Sequence, residues 1–287
     1  MQFLVTGGSG FIGMYLAKKL QNMGHDVVCY DINNPKWIEP KTKVVIGDIN
    51  DFDKLINVAH DVVCIFNCAG ILGSTESFSY FEKTFEVNVF GTLNLLKLAK
   101  QFDIPMVYLS LKNDCMNPYM ISKRIGTELC QSYSTYLDTR VCAINGLNGY
   151  GPRQELKPVP KMVPNMITRV LKDQKISING DGKQIVDMIY VEDLVHIMYL
   201  AFERNCWGTT FDAGTGIPRT VIQIAHDVIS VLGKGEIEYL PMRKGEHNRA
   251  IALADPSFLV QSLDYYPETS WRKGLKETVK WYQSGIS

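Results

Sequence analysis

The length, composition and charge of the chain narrow the classes of protein to which it can belong. Its 287 residues suffice for one large domain or two closely packed ones, and 46% hydrophobic with 21% charged residues is typical of a globular protein. Thirty basic residues balance thirty acidic ones, which indicates no nucleic-acid surface. The longest apolar runs are strand-sized, so we expect no membrane span.

Cysteine and histidine usage bears on location and metal binding. Seven scattered cysteines favour a reducing, cytoplasmic location, and Cys64 and Cys68 fit the role of small buried hydrophobes. A strand begins almost at once, at Gln2, so we expect no signal peptide. The five histidines are isolated, His196 fits packing on an apolar helix, and we predict no metal site.

Short apolar runs alternate with longer helical patterns through the first half of the chain. The predicted strands are 2–6, 27–32, 44–46, 62–68, 106–110 and 140–144. The predicted helices are 11–23, 53–59, 81–102 and 119–137. This alternation predicts an α/β fold with a doubly wound parallel sheet of the Rossmann type.

The pattern changes after Gly151-Pro152, where prolines cluster before a helix that ends near residue 172. Strands are predicted at 185–191 and 209–213, with a helix over 192–204 between them. Thr220 is placed to cap a helix that runs to Leu232 and is stopped by Gly233. We therefore expect a larger domain over 1–150 and a smaller, interleaved region over 151–287, with 184–214 returning to the first.

A glycine-rich turn follows the first strand and opens the first helix. Glycine lets the turn close and lets backbone N–H groups approach a phosphate without a Cβ in the way, while the helix N-terminus adds partial positive charge. Strand, glycines, helix and a later acid together predict a dinucleotide pyrophosphate site. Its predicted members are Gly7, Gly10, Phe11, Ile12 and Gly13. The alternative is a tight turn that binds nothing.

An acid ends the second predicted strand. A carboxylate at Asp31, with Ile32 beside it, can accept hydrogen bonds from the adenosine ribose hydroxyls and would repel a 2′-phosphate. No arginine stands next to it. The position therefore favours NAD over NADP as the cofactor; in the alternative, Asp31 is only a solvated strand end.

Further motifs occur in an order typical of one family. They are Thr6-Gly-Gly-Ser-Gly-Phe-Ile-Gly13, Gly47-Asp-Ile49, Asn67-Cys-Ala-Gly70, Asn88-Val-Phe-Gly91, Tyr119-Met-Ile-Ser-Lys123, Asn148-Gly-Tyr-Gly-Pro-Arg153, Gly180-Asp-Gly182, Asp187-Met-Ile-Tyr-Val191 and Gly214-Thr-Gly216. Over nearly its whole length the chain resembles the extended short-chain dehydrogenase/reductase superfamily. The branch that it resembles holds the NAD-dependent nucleotide-sugar epimerases and dehydratases, of the UDP-glucose 4-epimerase type.

The resemblance implies roles for residues along the cofactor. Asp48 and Ile49 are expected to flank the adenine, and Ser110 to meet the cofactor. Cys68, Ala69 and Gly70 are expected to line the cofactor where the fourth strand ends. Asn88 is expected to support the active-site geometry by hydrogen bonding.

Tyr119 and Lys123 are four residues apart on a predicted helix, so both side chains face the same way. A free tyrosine has a pKa of about 10, which a nearby ammonium and the positive nicotinamide lower. The resemblance implies that Tyr119 removes a proton from a sugar hydroxyl while the hydride passes to NAD⁺, and that Lys123 contacts the nicotinamide ribose. The alternative is that the two residues belong to an ordinary amphipathic helix and that Lys123 is a surface lysine.

The loop before Tyr119 departs from the family pattern. Relatives usually carry Ser or Thr at the position aligned with Lys112, and the loop here is short. We expect Lys112 or Asn113 to supply the missing hydrogen bond. The loop also lacks the Asp-Glu pair usual in 4,6-dehydratases, and Asp114 stands alone, so dehydration is less favoured than oxidation and reduction at C4.

The resemblance also assigns substrate contacts. Arg243 matches a residue that grips the nucleotide diphosphate, Glu246 an acid that binds the nucleotide ribose, and Asn148 an asparagine that meets the diphosphate or sugar. In the alternative, the Arg243 region is a solvated loop. Many relatives have an arginine at the position of Val186. The valine in this chain therefore lacks one phosphate contact that the arginine would make.

The fourth and fifth helices are expected to form a homodimer contact as in relatives. Apolar residues such as Phe90, Leu93, Leu95, Leu96 and Leu98 agree with this, although the same stripe would also serve the sheet.

These observations favour a nucleotide-sugar 4-epimerase that keeps NAD bound between turnovers. The alternatives are a 4,6-dehydratase or a 4-keto-sugar reductase or dehydrogenase of the same branch. A further alternative is an NAD-binding protein without turnover, which the missing Ser or Thr would favour.

Overall fold

The computed structural model describes residues 1–37 and 42–285. Its strands, in chain order, are β1 (Gln2–Thr6), β2 (Asp26–Asp31), β3 (Lys43–Ile46), β4 (Val62–Asn67), β5 (Met106–Ser110), β6 (Val141–Gly146), β7 (Asn148–Tyr150), β8 (Ile176–Asn179), β9 (Ile185–Val186), β10 (Met188–Tyr190), β11 (Thr210–Ala213), β12 (Arg219–Thr220), β13 (Ile237–Leu240) and β14 (Ile251–Ala252). Seven of them form one sheet in the order β11-β6-β5-β4-β1-β2-β3, with every neighbouring pair parallel. The strand order reverses between β1 and β4, so the predicted doubly wound α/β fold is confirmed.

Helices form close to the predicted ranges 11–23, 53–59, 119–137 and 192–204, whereas the predicted helix over 81–102 is divided and the last two helices were not predicted. The helices are α1 (Phe11–Asn22), α2 (Phe52–Val58), α3 (Phe81–Phe85), α4 (Thr92–Gln101), α5 (Pro118–Leu137), α6 (Met162–Leu171), α7 (Val191–Glu203), α8 (Val221–Leu232), α9 (Ser257–Leu263) and α10 (Trp271–Gln283). A π-helical turn, Glu86–Gly91, joins α3 to α4, and a 3₁₀ turn lies at Glu76–Phe78. Thr220 caps α8 through a reciprocal bond with Gln223, and Gly233 ends the helix with a φ of +73°.

Both faces of the main sheet are covered by helices. Alternate residues of each strand point to opposite sides, so each strand contributes side chains to both cores. Phe3 and Val5 pack on one side with Cys64, against α1 and α7. Leu4 packs on the other side with Ile65, against α2, α4 and α5. All seven cysteines are free, and all but Cys68 are buried.

The second region packs around its own apolar core, formed by α6, α8 and α10 with β8 and β10. Two further segments, α7 and β11, belong instead to the core and the edge of the main sheet. The predicted strand over 185–191 is wrong in two respects: Asp187 divides it into β9 and β10, and Val191 begins α7. The Asp187 carboxylate accepts hydrogen bonds from the backbone N–H groups of Thr215, Gly216 and Ala254. The division at residue 150 stays a prediction.

The helix faces expected to form a dimer are used in two ways. Leu95, Leu96 and Leu98 are fully buried within the chain, whereas Phe90 is 59% exposed. Most of the apolar stripe therefore serves the sheet, and the homodimer stays a prediction. Across the described residues, no helix combines the length and apolarity needed to cross a membrane.

Candidate active site

The glycine turn after β1 has no room for side chains where it meets the end of β4. Gly7 has a φ of +67°, and a Cβ added there would lie 2.7 Å from the backbone of Cys68 and Ala69. A Cβ on Gly13 would overlap with the Gly7 carbonyl oxygen. Among the described residues, no side chain caps α1 at Gly10, and its first turn holds no acid. Its N–H groups and partial positive charge therefore fit a pyrophosphate.

The carboxylate at the end of β2 is held by the main chain around it. The Ser9 N–H donates to one oxygen of Asp31 at 3.0 Å, and the Asn33 N–H donates to the other at 2.9 Å. Ile32 is exposed beside it. This fixed carboxylate at the rim of the turn fits the adenosine ribose of NAD.

The two residues expected to flank the adenine lie beyond the end of β3. The Tyr30 hydroxyl donates to the Asp48 carbonyl oxygen at 2.9 Å. The buried Ile49 side chain packs against Gly91, where a Cβ would overlap with it. Both residues border the same cleft as Asp31.

Asn88 connects the loop after β4 to α5. Its Oδ1 accepts from the Ile71 N–H at 2.8 Å, and its Nδ2 donates to the Ile71 carbonyl at 3.0 Å and to the Ser122 hydroxyl at 2.9 Å. The side chain is buried in the π-helical turn. It therefore fixes the backbone just after Gly70, which borders the cleft.

Tyr119 and Lys123 lie one turn apart near the start of α5, in agreement with their spacing. Lys123 is 6% exposed, and its Nζ donates to the Leu109 carbonyl at 2.5 Å and lies 4.3 Å from the centroid of the Tyr108 ring. Burial lowers the pKa of Lys123 to about 8 and raises the pKa of the Tyr119 phenol. In this arrangement the Lys123 ammonium is hydrogen-bonded to the main chain at the end of β5. Burial is the main influence on the pKa of Tyr119.

The side chains of the β5–α5 loop are engaged with the protein. The Ser110 hydroxyl shares a hydrogen bond with Thr127 at 2.7 Å. Lys112 Nζ lies 2.6 Å from Asp212 Oδ2 in an ion pair, and Asn113 Oδ1 accepts from the Cys115 N–H at 2.8 Å. Ser110, Lys112 and Asn113 all border the cleft. Their contacts with cofactor and substrate stay predictions.

The expected nucleotide-binding side chains, Asn148, Arg243 and Glu246, line the same cleft. Arg243 donates two hydrogen bonds to Glu246, from Nε at 3.2 Å and from Nη2 at 2.5 Å. Asn148 Nδ2 donates to the Asp187 carbonyl at 3.1 Å. Arg243 and Glu246 are therefore held together as an ion pair that lines the cleft.

One cleft of about 1200 Å³ joins these parts. Gly7 and Asp31, Tyr119, and the Arg243–Glu246 pair all line this one cleft. A dinucleotide and a second nucleotide with its sugar can meet at the tyrosine in such a space.

Comparisons with known proteins agree with this geometry. The model of the family described as "NAD dependent epimerase/dehydratase family" matches residues 3–214. The chain belongs to the NAD dependent epimerase/dehydratase family. It is an enzyme of this family, and NAD is its cofactor.

Relatives within the family differ in the reactions for which they are named. A Methanocaldococcus jannaschii protein with the provisional name UDP-glucose 4-epimerase is 29% identical over 98% of both chains. The UDP-N-acetyl-alpha-D-glucosaminuronate decarboxylase of Bacillus cytotoxicus is 27% identical over 98% of this chain and 97% of its own. A Thermotoga maritima UDP-glucose 4-epimerase solved with UDP-glucose superimposes with a TM-score of 0.92 at 24% identity over 100% of both chains, which shows the shared fold.

Two residues of this family member border the cleft near Tyr119 and were not found from the sequence. Lys161, at the start of α6, has its Nζ 6.0 Å from the centroid of the Tyr119 ring. Glu76, in the 3₁₀ turn, has a buried carboxylate oxygen. Both line the cleft. Neither belongs to a local motif, so only the folded chain brings them to the site.

The structure also brings together three groups with metal-ligand chemistry, which sequence spacing did not indicate. One ligand atom each from Asp114, Cys115 and His247 lies within 4.8 Å of the other two. His247 Nε2 is 3.4 Å from Asp114 Oδ1, which also accepts from the Ile251 N–H. Burial raises the pKa of the Cys115 thiol, which favours the protonated form over the thiolate that metals bind. The observed contacts are those of a bridge between two loops.

Proposed function

We propose that this enzyme is a nucleotide-sugar 4-epimerase in which Tyr119 exchanges a proton with the C4 hydroxyl. One observation carries the proposal: a single cleft of about 1200 Å³ connects the glycine turn, Tyr119 and the Arg243–Glu246 pair. The sugar between a gripped diphosphate and an NAD cradle would lie against Tyr119. Bound NAD supplies the acceptor for the C4 hydrogen.

The protein must favour ionisation of a buried phenol. Burial raises the pKa of Tyr119, so its phenolate requires positive charge nearby. Lys123 lies one helical turn away on α5. We infer that Lys123 offsets part of the cost of burial and binds the nicotinamide ribose, as expected from the resemblance.

The part of the cleft that Arg243 and Glu246 line would hold the nucleotide. The Arg243 guanidinium presents a planar fork that matches phosphate oxygens. Glu246, now hydrogen-bonded to Arg243, would turn to the ribose hydroxyls when the diphosphate takes the guanidinium. Asn148 would add a contact to the diphosphate or sugar.

The short β5–α5 loop favours epimerisation over dehydration. Dehydration at C5 and C6 needs acid and base groups beside the tyrosine, and Asp114 is the acid of this loop. Its carboxylate accepts from the Ile251 N–H at 3.1 Å and lies 3.4 Å from His247. It is therefore engaged with the loop that follows β13.

A product screen with a matched variant tests the proposal. The NAD-loaded enzyme is incubated with UDP-glucose, UDP-galactose and their N-acetyl forms, and the products are followed by NMR and mass spectrometry. We expect interconversion of C4 epimers without net NADH. Tyr119→Phe should keep NAD and lose about 10²- to 10⁴-fold in turnover, the usual contribution of a positioned acid–base group.

The control is Tyr136→Phe on the same helix, because Tyr136 is 80% exposed and lies outside the cleft. Net NADH formation or consumption would replace the proposal with a dehydrogenase or reductase, and a 4-keto-6-deoxy product would replace it with a dehydratase. Equal turnover by Tyr119→Phe and the parent would remove Tyr119 from the chemistry.

A further inference from the structure

Glu76 carries a buried carboxylate oxygen that lacks a hydrogen-bond partner among the described residues. The side chain folds back over Gly73, where φ is +110° and an added Cβ would lie 2.5 Å from Oε2. A buried acceptor left without a donor costs free energy, so such a group in a native fold calls for an explanation. Glu76 also lines the cleft, so a rotation of its carboxylate group would bring this oxygen to a ligand hydroxyl, which would be the missing donor.

The turn that carries Glu76 is tied to both functional parts of the cleft. The Tyr119 N–H donates to the Ser77 hydroxyl at 3.3 Å. The Thr75 hydroxyl donates to the Lys244 carbonyl at 3.0 Å, and Lys244 Nζ lies 4.3 Å from the centroid of the Phe78 ring. Glu76 is therefore fixed between the start of α5 and the loop that carries Arg243.

Lys161 supplies positive charge to the same part of the cleft. Its Nζ lies 6.0 Å from the Tyr119 ring centroid, and its side chain comes from the start of α6, which is separate in sequence from the Glu76 turn. Burial lowers the pKa of Lys161; the charge of Glu76 opposes that effect, Arg243 adds to it, and Glu246 opposes it more weakly. Lys161 and Glu76 thus carry opposite charges in the same cleft, and the free oxygen of Glu76 accepts no hydrogen bond from the lysine.

We propose that Glu76 binds the hexose of the substrate by accepting a hydrogen bond from a ring hydroxyl, with Lys161 as its counter-charge. The inference rests on the proposed function, because the hexose would span from Tyr119 to the diphosphate held by Arg243. A carboxylate that must bond a hydroxyl also discriminates against sugars that lack this hydroxyl. Glu76 is thus a substrate-contacting and specificity-determining residue.

The test compares a nucleotide with the same nucleotide carrying a hexose. Calorimetric titrations of the NAD-loaded enzyme use UDP, UDP-glucose, UDP-galactose and the N-acetyl forms. Glu76→Gln keeps the shape and one acceptor but removes the charge, whereas Glu76→Ala removes both. The control is Glu82→Gln, since Glu82 is exposed in the first turn of α3. Retained NAD and an unchanged melting temperature show that the variants fold.

We expect Glu76→Ala to weaken nucleotide-hexose binding about 10- to 100-fold, the usual effect of losing a hydrogen bond to a charged group, with Glu76→Gln between this variant and the parent. UDP binding should not change in either variant. Unchanged hexose binding would overturn the inference, as would equal losses for UDP and UDP-hexoses, which would make Glu76 a support for the loop. If the parent enzyme binds no nucleotide-hexose, the proposed function fails first and this inference falls with it.

Discussion

The part of the cleft proposed to bind NAD, here the cofactor end, is built differently from the part proposed to bind the nucleotide sugar, here the substrate end. The cofactor end includes the contiguous glycine turn after β1, where the absence of Cβ atoms leaves main-chain groups open to a ligand. The substrate end is made of side chains from distant segments, tied by bonds such as Thr75 to Lys244 and Asn117 to Gly245. We therefore expect the cofactor end to lose NAD binding when a substitution adds side-chain atoms. We expect the substrate end to lose nucleotide binding when a substitution removes polar atoms.

The largest effect is expected from adding atoms at the cofactor end. In Gly7→Val the new side chain would collide with the backbone of Cys68 and Ala69 and adopt a positive φ that valine disfavours. The purified variant should contain no NAD by absorbance and by mass spectrometry. Gly24→Ala is the control, because Gly24 has a φ of +83° but nothing within 4 Å of an added Cβ. NAD retained by Gly7→Val would contradict the main-chain cradle.

The burial of Lys123 should make the free energy of unfolding depend on pH. The pKa of Lys123 is about 8 in the fold against 10.5 as the ordinary value, so above pH 8 the folded chain binds fewer protons than the unfolded chain. Stability from this residue therefore rises with pH through that window. Chemical denaturation of the NAD-free protein would measure the free energy of unfolding of the parent and of Lys123→Met. The value for Lys123→Met minus that for the parent should fall by about 3 kcal/mol between pH 8 and pH 10.5. A constant difference would show that the lysine is not desolvated.

At the substrate end, removal of one guanidinium should weaken nucleotide binding. Arg243→Ala leaves Glu246 without its bonded partner, so an unpaired carboxylate would face the incoming diphosphate. We expect UDP affinity to fall about 10- to 100-fold by calorimetry, with NAD content unchanged. Arg249→Ala, an exposed neighbour in the same loop, serves as the control. Unchanged UDP affinity in Arg243→Ala would place the diphosphate elsewhere.

The smallest effect is expected in the loop between β5 and α5. Lys112→Ala removes the ion pair with Asp212, and the lysine is half-exposed, so the loss of stability should be about 1 kcal/mol in chemical denaturation. Asp212 keeps the Asn145 side-chain amide and the Asp255 N–H as donors. A fall in turnover greater than tenfold, with stability unchanged, would instead assign Lys112 the catalytic hydrogen bond expected from its position.

The same contrast explains which features the sequence predicts well. The glycine turn, Asp31, and Tyr119 with Lys123 each stand at a recognisable place beside one strand or within one helical turn, so local spacing is enough to predict them. The doubly wound sheet follows from the alternation of elements for the same reason.

Features that depend on remote partners were not predicted. Asp187 interrupts a strand because its carboxylate accepts main-chain bonds from residues beyond β11. Glu76, Lys161 and Tyr119 line the same cleft but come from three separate segments. The pKa of Tyr119 shows the same limit, because spacing indicates a lysine nearby but not that burial dominates.

An isotope experiment tests the central claim, that the cleft lets Tyr119 interconvert C4 epimers within one closed cycle. The NAD-loaded enzyme is given UDP-galactose deuterated at C4, and the position of the label in the product is read by NMR. We predict UDP-glucose that retains deuterium at C4, with no net change in NADH absorbance. Loss of the label from the sugar, or a product that is not the C4 epimer, would contradict the account.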